Sequence, residues 1–172
     1  MAATIVHSNT DKTNGQAGLM ADIGIVLAVI AIAALGGLVS GGSGDPWYVE
    51  LTKPPLTPPG FVFGIVWPIL YVLMAIGAVM VRRDTSTARN SGVPLGIFFF
   101  QLALNLAWSA LFFYFHRPEM AFLDLIALLL SVLLMMFSFF KISKAAALLQ
   151  VPYVLWLCFA GYINLGIIWL NT

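Results

Sequence analysis

Five long apolar runs, separated by short polar connectors, dominate the pattern of residues along this chain. The runs cover residues 23–39, 61–81, 94–115, 121–140 and 145–170. Each run is near the roughly 20 residues that an α-helix needs to cross the hydrocarbon core of a bilayer. Prolines inside membrane helices are tolerated and tend to produce kinks, so Pro68 and Pro152 do not argue against this reading. The pattern predicts an all-α integral membrane protein, a bundle of five transmembrane helices.

The first 21 residues differ from the rest of the chain because they are polar and of mixed composition. They lack the basic start of a signal peptide. We therefore expect residues 1–21 to form a disordered extension and residues 22–172 to form the membrane domain.

The longest polar segment inside the membrane domain is residues 45–59, called here the proline loop. Four of its last six residues are proline, and proline both fixes φ and removes a backbone donor. The composition predicts a semi-rigid extended loop without helix. Trp47 and Tyr48 at its start would give this loop two aromatic rings, as expected of a lid over an apolar ligand.

Composition supports a membrane protein and excludes several other classes. Hydrophobic residues make up 61% of the chain and charged residues 9%, whereas soluble domains have about 25% charged residues. The net charge of +1 and the absence of a basic stripe argue against binding to nucleic acid. His7 and His116 are far apart in sequence, so no metal-ligand cluster is predicted, and the single Cys158 cannot form an intrachain disulfide.

The basic residues predict an orientation in the bilayer. Six lie on the side of the N-terminus: Lys12, Arg82, Arg83, Arg89, Lys141 and Lys144. The other side has only Lys53 and Arg117. By the positive-inside rule, the N-terminus should face the cytoplasm, and the proline loop and C-terminus should lie outside.

The third run has two contrasting faces at helical spacing. One face has the polar and aromatic residues Gln101, Asn105, Trp108 and Phe112, and the other has the small residues Gly96, Ala103, Ala107 and Ala110. Amides are costly in lipid, so the first face should point into the bundle. Small residues allow close helix packing, either against a second protomer in a homodimer or within one chain.

The second and fifth runs carry similar stripes. The stripe of the second run consists of Phe63, Trp67, Leu70, Tyr71 and Met74. The stripe of the fifth run consists of Trp156, Ala160, Ile163, Asn164 and Ile167. Three such stripes could line an apolar pocket with few polar anchors, or form ordinary core. Asp124, the one acid inside an apolar run, is better explained by the helix start than by catalysis, so no catalytic residue is predicted.

Several motifs in order resemble the TspO/MBR family of tryptophan-rich sensory proteins and translocator proteins. They are Trp47-Tyr48, Leu51, Lys53-Pro54 and Pro58-Pro59, then residues 66–71, 101–108 and 152–156, and finally Asn164. The resemblance implies a five-helix bundle, usually a homodimer, that binds porphyrins such as protoporphyrin IX and haem as ligands, with no cofactor. It also implies binding of sterols and benzodiazepine-type drugs. The family's ligand cleft lies beneath the first loop. From the three stripes, we expect porphyrin to bind there between the second, third and fifth helices. Matching positions give the lining as Trp47, Tyr48, Tyr71, Asn105, Trp108, Trp156, Phe159 and Ala160.

Two positions depart from the family. Many members have a tryptophan where this chain has Leu56, and that ring is associated with light-dependent porphyrin breakdown. The family's sterol motif needs a tyrosine followed by a basic residue, but no Lys or Arg follows Asn164 here. We therefore expect a porphyrin receptor or carrier, with a role in tetrapyrrole transport or stress regulation. Alternatives are a light- and oxygen-dependent porphyrin-degrading protein and a scaffold whose aromatic residues only pack.

Overall fold

A computed structural model describes residues 2–41, 45–84 and 91–171, with side chains from Gln16 onward. Its helices are α1 (Ala2–Val39), α2 (Pro46–Glu50), α3 (Gly60–Arg83), α4 (Gly92–Ser109), α5 (Pro118–Phe140), α6 (Lys144–Leu148) and α7 (Val151–Asn171). A π-helical turn, Ala110–Tyr114, extends α4. Within the residues that the structure describes, five spans are long and apolar enough to cross a membrane: Gln16–Val39 of α1, then α3, α4 with the π-turn, α5, and α6 with α7. The predicted all-α, multi-pass membrane fold is confirmed.

Helix α1 is longer than the apolar run that predicted it. The run begins at residue 23, but the helical backbone begins at Ala2 and so covers the segment expected to be disordered. The boundary between extension and membrane domain stays a prediction. Asp22 is 6% exposed because it forms ion pairs with Arg82 and Arg83 at the end of α3. The ion pairs fix α1 to α3 at the end of the bundle opposite the proline loop.

The prediction that the proline loop has no helix is wrong for its first part. Pro46–Glu50 forms the short helix α2, which contains Trp47. Proline is well accommodated in the first turn of a helix, where its missing N–H has no partner to lose. Asp45 caps this helix by accepting a hydrogen bond from the Tyr48 backbone N–H at 3.0 Å. Residues 51–59 are non-helical, as the proline content predicts.

The fifth run is not one continuous α-helix. It divides into α6 and α7 at a turn formed by Leu149 and Gln150, just before Pro152. A proline inside a helix removes one hydrogen bond and crowds the preceding turn, which explains a break here. The buried Gln150 side chain stabilises the joint, because its Nε2 donates to the carbonyls of Leu73 on α3 and Ala146 on α6.

The two faces of α4 lie as the sequence predicts. Gln101, Asn105, Trp108 and Phe112 are all buried in the bundle. On the other face, Gly96 and Ala103 are exposed. This face is available to lipid or to a second protomer, so the homodimer stays a prediction.

Candidate functional site

A cavity of about 810 Å³, called here the large cavity, lies between α1 and α3 and reaches α2, α4 and the π-turn. Its volume falls within the range of about 300–1,000 Å³ that is typical of small-molecule sites. Residues from Val26 to Ser40 line one side, and residues from Gly60 to Ala75 line the other. The cavity therefore opens between two membrane-spanning helices.

Small residues create the space between α1 and α3. The α1 side includes Ala33, Ala34, Gly36 and Gly37, and the α3 side includes Gly60 and Gly64. A Cβ atom added at Gly37 or Gly64 would meet no neighbouring atom within 4 Å. The missing side chains at these positions leave room for a ligand.

Aromatic rings line other parts of the large cavity. Tyr48 lies at the loop end, and Trp67 and Tyr71 on α3 lie with their ring centroids 5.6 Å apart. Trp108 and Phe113 contribute from α4 and the π-turn. Aromatic faces of this kind can stack on a flat apolar ligand.

A small cavity of about 20 Å³ lies beneath the proline loop, where the sequence places the main cleft. Tyr48, Trp108 and Ala160 line it. Packed rings occupy most of this region, with Trp108 and Phe112 stacked at 5.5 Å. Of these two cavities, the larger lies between α1 and α3, whereas the sequence places the cleft between α3, α4 and α7. Where a ligand binds stays a prediction.

The eight predicted lining residues divide into three groups. Tyr48, Tyr71 and Trp108 line the large cavity, and Ala160 lines only the small one. The remaining four lie nearby: Asn105 bonds to Tyr71 from behind, Trp156 packs on Trp67, Phe159 packs on Trp156, and Trp47 stacks on His116. The aromatic rings of the predicted set thus fall into two groups of contacting rings, one around Trp108 and one around Trp67, and only part of each group faces open space.

The π-helical turn brings two consecutive rings to the same cluster. Phe112 and Phe113 both contact the Trp108 ring and both contact the Tyr48 ring. In a regular α-helix consecutive residues point about 100° apart, but the wider π-turn places residues four and five positions on beside Trp108. Periodicity at 3.6 residues could not reveal the role of Phe113.

Sequence reasoning also missed the contribution of α1. Its signal was present as the adjacent small residues Gly36 and Gly37 with Ala33 and Ala34 before them. The stripes that predict a pocket depend on aromatic residues, and the first run, residues 23–39, has none. Helix α1 contributes to the site by having glycine and alanine where larger side chains would fill the space. Its part in the site therefore depends on how α3 packs against it.

A buried hydrogen-bond network lies behind the large cavity. Tyr71 Oη donates to Asn105 Oδ1 at 2.7 Å, and Asn105 Nδ2 donates to Tyr153 Oη at 2.9 Å. Tyr153 Oη in turn donates to Gln101 Oε1 at 3.1 Å. The network joins α3, α4 and α7, and Tyr71 is its member on the cavity wall.

At the loop end of the large cavity, Tyr48 lines the cavity and also contacts a charged side chain, Lys53. Burial raises the pKa of its phenol above the ordinary value, so the group stays neutral at physiological pH. The Lys53 ammonium lies 4.7 Å from the centre of its ring, a favourable cation–π contact. In the part of the chain that the structure describes, no group of three His, Cys, Asp or Glu side chains could hold a metal ion.

Comparison with known proteins agrees with the fold and the motifs. The model of the TspO/MBR family matches residues 25–170. The chain is 38% identical to the tryptophan-rich protein TspO of Archaeoglobus fulgidus, over 86% of this chain and 94% of that protein. It is 38% identical to TspO of Chlorobaculum tepidum, over 73% and 79% of the two chains. It is 36% identical to the translocator protein of Bos taurus, over 76% and 78%. Its helices, its motifs and these relatives show that the chain belongs to the TspO/MBR family.

Proposed function

We propose that this protein is a membrane receptor or carrier that binds porphyrin-type tetrapyrroles, such as protoporphyrin IX or haem, in the large cavity. Its role would be tetrapyrrole transport or regulation during stress. In this proposal the N-terminus faces the cytoplasm, and the proline loop covers the outer end of the cavity. The family gives the receptor-type membrane role, and the choice of ligand is our inference.

The observation that carries the proposal is the pairing of aromatic rings with an open wall of small residues. A planar macrocycle can stack on Trp67 or Trp108 while its edge occupies the space above Gly37 and Gly64. Because the cavity opens between membrane-spanning helices, an apolar ligand could enter from the bilayer without crossing water. The few polar atoms on the wall suit a ligand that is mostly apolar.

Filling the cavity tests this proposal directly. Gly64→Phe places a ring in open space inside the large cavity, whereas Gly24→Phe places the same ring on α1, also in open space but away from the cavity. In fluorescence-quenching titrations with protoporphyrin IX, Gly64→Phe should weaken binding at least about tenfold, since a ligand loses its site. Gly24→Phe should bind as the wild type does.

Two outcomes would count against the proposal. Absence of binding by the wild-type protein would refute porphyrin binding itself. Equal affinity for the wild type and both variants would place the ligand elsewhere in the bundle.

The alternative, light-dependent porphyrin breakdown, finds less support. The tryptophan associated with that reaction in relatives is replaced here by Leu56, which is 81% exposed and outside both cavities. Trp67 or Trp108 on the cavity wall would have to supply the oxidisable ring instead. In the structure Leu56 lies in an exposed turn with a φ of 69°. Binding without rapid breakdown is therefore the function that we favour.

A further inference from the structure

We propose that the corner of the large cavity beside Gly36 accepts a hydrogen bond from the ligand and donates none. This inference rests on the proposed function and adds which partner donates in one hydrogen bond between the protein and its ligand. It means that the site prefers porphyrin-type ligands that present an O–H or N–H group at their edge.

Two hydroxyl oxygens meet at this corner. A Cβ atom at Gly36 would lie 3.7 Å from Ser109 Oγ and 3.8 Å from Tyr71 Oη. Both residues line the large cavity, and Gly36 has no side chain to cover them. A hydroxyl can either donate or accept, so what the ligand meets depends on where the two protons already point.

A sulfur atom determines which groups donate and which accept in the buried hydrogen-bond network. Gln101 Nε2 lies 3.6 Å from Met74 Sδ, and a thioether can only accept. The amide nitrogen of Gln101 must therefore face Met74, which leaves its carbonyl oxygen facing Tyr153. Gln101 is fully buried, so solvent cannot exchange its partners. The Tyr153 hydroxyl has to donate to this oxygen.

Asn105 extends the fixed direction of these hydrogen bonds from Tyr153 to the cavity. Because the Tyr153 hydroxyl donates its one proton to Gln101, its oxygen must accept from the Asn105 amide nitrogen. The Asn105 carbonyl oxygen then faces Tyr71, whose hydroxyl must donate to it. The Tyr71 oxygen has no second proton and is left as an acceptor on the cavity wall.

The neighbouring groups have the same polarity. Ser109 Oγ donates to the Asn105 backbone carbonyl at 3.4 Å, so its proton also points away from the cavity. On α3, Pro68 has no N–H, so the carbonyl of Gly64 loses the donor that a regular helix would supply. Gly64 and Pro68 both line the large cavity. Tyr71 and Ser109 are thus both acceptors at the Gly36 corner, and the Gly64 carbonyl is a further acceptor on a residue that lines the same cavity.

A matched pair of ligands tests the inference. Haematoporphyrin carries two alcohol groups, and its O-methyl ethers keep the macrocycle, the carboxylates and the ether oxygens but lose the O–H donors. With purified wild-type protein in lipid nanodiscs, haematoporphyrin should bind about 3- to 10-fold more tightly than its dimethyl ether, as expected for one hydrogen bond. Tyr71→Phe, which removes one of the two hydroxyl acceptors at this corner, should reduce this preference.

A remote substitution distinguishes the network from simple contact. Met74→Leu removes the sulfur that orients Gln101, lies outside the cavity lining, and conserves volume. Gln101 can then turn, and the network can reverse so that Tyr71 donates toward the cavity. Met74→Leu should therefore reduce or reverse the preference for the alcohol. Met135→Leu, the same exchange at an equally buried methionine on α5, should keep it.

The outcomes separate the two proposals. If wild type binds both porphyrins equally, the inferred polarity is wrong while porphyrin binding stands. If wild type prefers the alcohol but Met74→Leu keeps the full preference, the corner accepts a hydrogen bond but Met74 does not set the direction of the network, and that part of the inference is wrong. If wild type binds neither haematoporphyrin nor protoporphyrin IX, the proposed function fails and this inference fails with it. The wild-type comparison needs no variant, so a folding defect in Tyr71→Phe or Met74→Leu cannot hide the result.

Discussion

Asn171 and Thr52 exchange two hydrogen bonds although 119 positions separate them in the chain. The Thr52 backbone N–H donates to Asn171 Oδ1 at 2.9 Å, and Asn171 Nδ2 donates to the Thr52 carbonyl at 2.9 Å. Nearby, Tyr162 Oη donates to the Pro55 carbonyl at 2.7 Å. These contacts attach the second half of the proline loop to α7.

Asn171→Ala should loosen the proline loop without unfolding the bundle, because it removes two hydrogen bonds at an exposed site. Each typical hydrogen bond contributes about 0.5–1.5 kcal/mol, so the loop amides should exchange roughly tenfold faster. Hydrogen–deuterium exchange of a peptide that covers residues 51–57 measures this effect. Asn171→Asp keeps the acceptor for the Thr52 N–H and should give an intermediate rate. Unchanged exchange in Asn171→Ala would mean that the loop is held elsewhere.

Gly166→Ala should displace the proline loop from α7. An added Cβ would lie 2.6 Å from Pro54 Cγ, and the rigid pyrrolidine ring cannot turn away. We expect a loss of about 1–3 kcal/mol in stability, the usual effect of overpacking. Thermal unfolding in detergent would measure it. Gly24→Ala, which meets no atom within 4 Å, serves as the control and should cause no loss.

Asp22→Asn should weaken the joint between α1 and α3, because a neutral amide cannot balance two arginines. Arg82 has a side chain 20% exposed and Arg83 one 61% exposed, so water screens the second pair more strongly. A double-mutant cycle by thermal unfolding should show about 1–3 kcal/mol of coupling between Asp22 and Arg82. Coupling to Arg83 should be under about 1 kcal/mol. Equal coupling to both would contradict the role of exposure.

Ala103→Trp should weaken a homodimer formed through the small-residue face of α4. Ala103 is exposed in the single chain, and a bulky ring there would prevent close approach of two helices. We expect the dimer to dissociate about tenfold more readily, as measured by light scattering in detergent across a concentration series. Phe137→Trp, at an exposed position on α5, is the control. A dimer equally stable in both variants would place the interface on another face.

Leu56→Trp should leave light-dependent breakdown of protoporphyrin IX slow while the loop is attached to α7. The reason is position, since residue 56 lies in an exposed turn outside both cavities. Combining Leu56→Trp with Asn171→Ala should raise the rate several-fold, because a loosened loop can bring the indole to the ligand. Absorbance loss under fixed illumination measures the rate. Rapid breakdown by wild type would instead implicate another ring, with Trp156 the next to test.

The sequence by itself determined the parts of this protein that depend on local pattern. Run length and hydropathy predict five membrane spans, and the spacing of Gln101, Asn105 and Trp108 predicts a buried face on α4. Both predictions are confirmed because lipid penalises exposed polar groups so strongly that periodicity alone fixes which face turns inward. The motifs at Trp47-Tyr48 and along α4 likewise indicate the family.

Only the tertiary structure decided where the open space lies and which way its polar groups point. The large cavity exists because glycines of α1 face aromatic rings of α3. A glycine has no side chain, so it adds nothing to the periodic pattern of apolar and polar residues from which a helix face is predicted. The π-turn changes which residues share a face, so Phe113 could not be placed by counting. The polarity of Tyr71 is determined through Asn105, Tyr153 and Gln101 to Met74, residues of three helices whose contacts exist only once the bundle has packed.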